Sequence, residues 1–135
     1  MRVQCSANTA AALSTRHFRL GYTDQSVFDL EKGGEYRVFG ISVYRDVIHY
    51  LVVDRTERPN WYPAEMFRVT DVTLPVGWGV VSRPENVDGL QLLVGYGALV
   101  EDPTHYDALI ERDPAAMMIF SREVRTNSSS DGGEA

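Results

Sequence analysis

EYRVFGISVYRDVIHYLVVD, residues 35–54, is the most strongly patterned stretch of this chain. It reads as a β-hairpin turning at Arg45 and Asp46. With that turn Val43 faces Ile48, Ile41 faces Tyr50 and Phe39 faces Val52, which makes one face of the ribbon apolar throughout. The opposite face pairs Tyr44 with Val47, Ser42 with His49 and Gly40 with Leu51, and it is mixed. Side chains alternate with period 2, so a slip of one residue would carry the apolar set to the wrong side, and the pattern therefore fixes the register. It specifies a fold and no activity.

Upstream of the hairpin, residues 1–4 suit a short strand, 7–15 a loop and 27–30 another short strand, before Glu31-Lys32-Gly33-Gly34 signals a turn. Downstream, 55–60 is a polar loop, and Trp61-Tyr62 is held extended by Pro63, whose ring disfavours α geometry in the residue before it. Residues 66–72 read as a strand with Phe67, Val69 and Asp71 on one side; 74–78 breaks it, and 79–82 is a further short strand before a loop at 83–89. The apolar run 90–94 fits either type of element. From Asp102 the signal turns helical: Asp102 is a good N-cap, Pro103 sits where a missing N–H costs nothing, and Tyr106, Leu109 and Ile110 form a stripe. Asp113-Pro114 repeats the device and opens 115–124, with Met117, Ile119, Phe120 and Val124 apolar. The polar, Gly/Ser-rich stretch 125–135 predicts a disordered tail, leaving 1–124 as a single globular domain. The fold expected is α+β: a small bent antiparallel sheet resembling an SH3-like barrel, with short C-terminal helices.

At 135 residues, 44% hydrophobic and 24% charged, the composition is that of an ordinary single domain. No apolar run approaches the roughly 20 residues that cross a bilayer, and the N-terminus has no apolar core behind Arg2, so the expectation is a cytoplasmic protein without membrane contact. Cys5 is the only cysteine, which excludes an intramolecular disulfide. A formal charge of −6, with arginines scattered rather than clustered, argues against nucleic acid and suits a basic protein partner as well as it suits solubility.

Five groups of side chains are candidate sites. Cys5, with His17, His49 or His105 as base, lacks any nucleophile motif and reads as a small buried hydrophobe. Glu101, Asp102 and His105 are the densest set of possible metal ligands, but the Asp is explained as a cap and no third strong ligand follows at helical spacing, so neither metal nor cofactor is expected. His49, within the hairpin, reads as a hydrogen-bonded strand histidine that can sit in a pocket. Trp61, Tyr62 and Trp78, large aromatics beside prolines, either plug the ends of the barrel or line a binding groove. The acids Glu101, Asp102, Asp107, Glu111 and Asp113 make either a solvated helix face or a docking surface for a basic protein.

Several segments together, MRVQC, YRVFGISVYRDVIHYLVVD, RPNWYPAEMFRVTD and LVEDPTHYDALIERDPAAMMIF, resemble a family of small uncharacterised bacterial proteins. In it a line similar to G-x-x-Y-x-V-Y-G-I leads a hairpin, a W-Y-P-A-x-x-F-x-V segment follows, and a short helical end closes the domain. The resemblance covers most of residues 1–121, with Phe39 where tyrosine is typical and an added hydrophilic tail. It carries no catalytic motif. It implies an immunity-like or accessory protein of the kind found beside bacterial toxin systems, with a binding surface at Trp61, Tyr62 and Pro63. The function expected is a noncatalytic, cytoplasmic protein-binding module for a basic partner, using His49, the loop aromatics and the acids Glu101, Asp107 and Glu111. The alternatives are a small-ligand domain with Trp61, Tyr62 and Trp78 lining its pocket, and a hydrolase or metal enzyme built on Cys5 or the Glu101/His105 set.

Overall fold

The computed structural model describes residues 1–9, 27–83 and 89–134, with side chains described as far as Thr126. Two antiparallel sheets carry the fold. The strands are β1 (Arg2–Cys5), β2 (Glu35–Arg37), β3 (Gly40–Tyr44), β4 (Val47–Val53), β5 (Pro59–Pro63), β6 (Phe67–Asp71), β7 (Gly79–Ser82) and β8 (Leu90–Gly95). A three-stranded sheet has the order β2-β1-β6 and a five-stranded sheet the order β5-β4-β3-β8-β7. The helices α1 (Gly97–Glu101), α2 (His105–Ile110) and α3 (Pro114–Glu134) follow. The protein is therefore α+β, and the two ladders do not close into one barrel.

The central hairpin has the register expected from its alternation: Ile41 pairs with Tyr50, Ser42 with His49 and Val43 with Ile48. Its turn places Arg45 at φ 48° and Asp46 at φ 68°, the two left-handed positions that match the twist of the strands. Neither residue is glycine, and both are held from β8 and the residue before it. Gly89 O accepts from Arg45 N at 2.9 Å, Gln91 Oε1 accepts from Asp46 N at 2.7 Å, and Gln91 Nε2 donates to Asp46 Oδ1 at 2.9 Å.

The burial of the two faces corrects the expectation. Ile48, on the apolar face, is 49% exposed, whereas Gly40, Ser42, Val47, His49 and Leu51 of the mixed face are buried. The reason is that the five-stranded sheet is covered on both sides. Val52 packs in a core between the sheets with Val3, Cys5, Leu30, Val38, Tyr62 and Met66, where Ile41 and Tyr50 also lean. Leu51 packs on the other side with Leu93, Leu99, Leu109 and Phe120, under the helices. Phe39 and Val52 consequently do not share a face: Val38 belongs to the core between the sheets and Phe39 to the core under the helices, where its ring meets Phe120 at 5.3 Å. The chain bends at this pair and passes from the first sheet to the second. It passes back through a 3₁₀ turn, Ala64–Met66, between β5 and β6.

Glycines let the helices press onto the mixed face. Gly79 pairs with Gly95, and Gly95 with Gly40, making a row without side chains across three strands. A Cβ on Gly95 would stand 2.6 Å from Leu99 Cδ2, and one on Gly40 would stand 2.8 Å from the same atom. The row is the seat of α1, an element with no counterpart in the sequence reading.

The strands expected at 1–4, 66–72 and 79–82 are present as β1, β6 and β7, and the apolar run at 90–94 is a strand, β8. The residues expected as loop around Pro59 and Asn60 begin β5 instead. At 27–30 only Val27 pairs, in an isolated bridge to Thr9. Most of the loops expected at 7–15 and 83–89 lie outside the described residues. The helix expected from Pro103 begins at His105; Asp102 Oδ1 accepts from Thr104 N at 2.9 Å and Thr104 Oγ1 at 2.8 Å, capping the turn before it. Its buried residues are His105 and Leu109, while Ile110 is half exposed. Asp113 caps α3 as expected, accepting from Ala116 N at 3.1 Å. Among the described side chains, the last of α3 packed against the core is Val124, immediately before the polar stretch.

A candidate binding cavity between the second sheet and α2

Beyond the glycine row, β3, β4 and β5 carry larger side chains on the helix-covered face, and α2 stands off from them. The gap is a cavity of about 240 Å³. Tyr44 and His49 form one wall, their rings 6.3 Å apart and edge to face. Trp61 and Tyr106 form another, 5.4 Å apart and tilted. Pro59 and Asn60 on β5, and Leu109 and Ile110 on α2, complete the lining. None of the lining side chains is a carboxylate, a lysine or an arginine. A second, more open cleft of about 300 Å³ adjoins it, sharing Asn60 and Trp61 and bordered also by Phe28 and Tyr62.

The cavity is held open from both ends. Arg112, at φ 62° directly after α2, donates to Pro59 O through Nη1 and to Asn60 Oδ1 through Nη2, the latter at 2.7 Å. Asn60 in turn donates from Nδ2 to Asp54 Oδ2 at 2.7 Å, and Tyr62 Oη donates to the same oxygen at 2.5 Å. Asp54 Oδ1 accepts from Thr56 N at 2.9 Å and Thr56 Oγ1 at 2.5 Å. Burial works to raise the Asp54 pKa, but these hydrogen bonds to Thr56, Tyr62 and Asn60 outweigh it and hold the carboxyl below its ordinary range. A buried carboxylate thus fixes β5, and β5 fixes α2 through one arginine.

Behind α2, His105 Nε2 and Tyr96 Oη are 2.8 Å apart, both buried. Burial lowers the His105 pKa, against a smaller opposing pull from Asp102, so the imidazole is kept neutral. Burial, with the charge of Glu123 adding to it, raises the Tyr96 phenol. The Glu123 carboxyl is itself raised by burial. This pair anchors the helix that carries Tyr106, Leu109 and Ile110 to the cavity.

Of the residues singled out from the sequence, His49 and Trp61 meet here. His49 is 5% exposed, with Nδ1 3.2 Å from Val47 O. Tyr62 points to the opposite side of β5, into the core between the sheets, where its ring meets Phe28 edge to face at 5.7 Å. Trp78 packs against that same core and lines neither the cavity nor the adjoining cleft, so neither of these two spaces brings the three aromatics together. Glu101, Asp107 and Glu111 are exposed, the last two four residues apart on and just after α2. Tyr44 and Tyr106, absent from the sequence-based set, line the cavity; the alternation in the hairpin and the stripe on α2 were the signals available for them. Cys5 is buried between the sheets with its thiol donating to Ala7 O at 3.1 Å, its pKa raised by burial, on the opposite side of the second sheet from His105. His17 lies outside the described residues. Among the described residues no group of three His, Cys, Asp or Glu side chains is placed to hold a metal ion.

No family model, curated protein or solved structure matches this chain. Among the described residues no helix is long and apolar enough to cross a membrane.

Proposed function

We propose that the chain is a noncatalytic, cytoplasmic protein-binding module, immunity-like in the sense that the sequence resemblance implies, and that it docks a basic partner on the surface formed by β5 and α2. The observation that carries this reading is the aromatic cavity. At about 240 Å³ it falls below the roughly 300–1,000 Å³ of drug-sized ligand sites, and its Trp and Tyr walls suit the burial of one anchoring side chain. Asp107 follows the lining residue Tyr106, and Glu111 follows Ile110, so acids flank the lining on the same helix. Such charges steer a basic protein and set its on-rate. The adjoining cleft favours the second reading, a small-ligand domain, because the two spaces share Asn60 and Trp61 and together fall within the size range of ordinary ligand sites.

The SH3-like reading of the fold draws support from connectivity. A first strand is followed by a long connection, a strand pair bent at Val38–Phe39, a three-stranded meander, a 3₁₀ turn and a last strand that returns to pair with the first. In this reading β8 and β7 extend the second sheet beyond β3, and the helices are additions on its outer face.

The test is affinity capture from source-cell lysate at low and high salt, followed by affinities of the captured protein for variants in which Glu101, Asp107 and Glu111 are reversed to lysine. The expected result is a basic protein whose binding weakens in salt and is lost on charge reversal. An affinity indifferent to both would overturn the proposal.

A further inference from the structure

We propose that the cavity takes the guanidinium group of an arginine side chain presented by the partner; this deepens the binding-module reading and rests on it. Two aromatic pairs, Trp61 with Tyr106 and Tyr44 with His49, stand around a space the size of a single side chain, and none of the lining groups is a carboxylate. An ammonium ion entering such a site would give up strong hydration without meeting a counter-charge. A guanidinium is planar and more weakly hydrated, and it stacks on aromatic faces, so it loses less and gains more. The protein already shows the interaction: the guanidinium carbon of Arg45 lies 5.3 Å from the centroid of the Tyr44 ring.

Charge complementarity selects a cation over a neutral planar group. The chain carries a formal −6, and Asp107 and Glu111 sit beside lining residues of α2. Arg58 precedes the lining residue Pro59, and two further cations are close, both of them engaged. Arg112 donates to Pro59 O and Asn60 Oδ1, and Arg45 lies against Tyr44; neither is part of the lining. An incoming side chain meets the aromatic walls, with the exposed acids Asp107 and Glu111 next in sequence to the lining residues Tyr106 and Ile110.

The full-length protein is titrated with the peptide acetyl-Gly-Arg-Gly-amide, with the same peptide carrying citrulline, and with its lysine counterpart. The indole N–H resonance of Trp61, assigned with Trp61→Phe, is followed by NMR. The expected result is a saturable shift with arginine, binding about tenfold weaker with neutral citrulline, and lysine between them. Ile110→Lys changes a side chain that is 50% exposed at the cavity and should leave the fold intact while weakening the arginine peptide by a similar factor. Equal binding of arginine and citrulline, or no change on Ile110→Lys, would overturn the inference. So would the absence of any shift at Trp61; if salt-sensitive capture of a basic partner then persisted, the binding-module reading would stand with a different anchor.

Discussion

At Gly95 a methyl group has nowhere to go: Leu99 Cδ2 and Phe39 O would stand 2.6 Å and 3.2 Å from it, and the second neighbour is backbone. Gly95→Ala should therefore cost roughly 1–3 kcal/mol, the usual penalty of overpacking, read as a lower urea midpoint with an unchanged slope. An unaltered midpoint would mean that α1 can lift off the sheet freely. His105 gives a pH-dependent counterpart. Its pKa is lowered in the folded protein, so between that value and 6.5 the unfolded chain binds more protons, and stability is full above 6.5 and falls as the pH drops below it. Glu123, raised by burial, contributes with the opposite sign above 4.5. The test is accordingly a comparison of proteins: the loss of stability between pH 7.5 and 5 should be smaller in His105→Gln than in the parent, and equal losses would contradict the assignment. The Asp54 carboxyl, held low, stabilises the fold above 3.8 and ceases to do so as the pH falls through its lowered folded value. None of these three roles was legible in the sequence. A glycine shows no sign of what will approach it, and the environment of His105 or Asp54 is assembled from residues on other elements.

The hairpin was legible at the level of the element because its information is local. Alternation set the pairing of Ile41 with Tyr50, and the turn fell at Arg45–Asp46. Which face would be covered more deeply was not local. It depends on β8 and the helices, and the presence of Gly40, Ser42 and His49 on the helix side made the deeply buried face look polar. β5 escaped detection for a related reason: Pro59 and Pro63 bracket it, and prolines are tolerated here because β5 is an edge strand. The tie from α2 to this edge is Arg112. Arg112→Ala removes both hydrogen bonds to β5 and should cost roughly 1–3 kcal/mol, with hydrogen exchange faster in α2 than in β3 and β4. Uniform acceleration across all elements would show that the arginine supports the whole fold rather than the wall of the cavity.

For the whole molecule, composition and charge gave only the expectation of a single domain with a basic partner, while the cavity proposed as its docking site came into view with the fold. His49 and Trp61 were legible as candidates because an imidazole within a strand and a tryptophan beside a proline are conspicuous. Their meeting with Tyr44 and Tyr106 depends on strand order and on where α2 lands. Trp78 looked equivalent to Trp61 and is not, since it packs against the core between the sheets. The central claim is that a protein partner docks at the cavity. A photo-crosslinking amino acid at Ile110, a lining residue that is 50% exposed, and in a separate protein at Met118, 60% exposed on α3, tests it directly in source-cell lysate. The account predicts one basic protein crosslinked from position 110, with a yield that falls in high salt, and little or none from position 118. Equal yields at both positions, or crosslinks from position 118 alone, would contradict it.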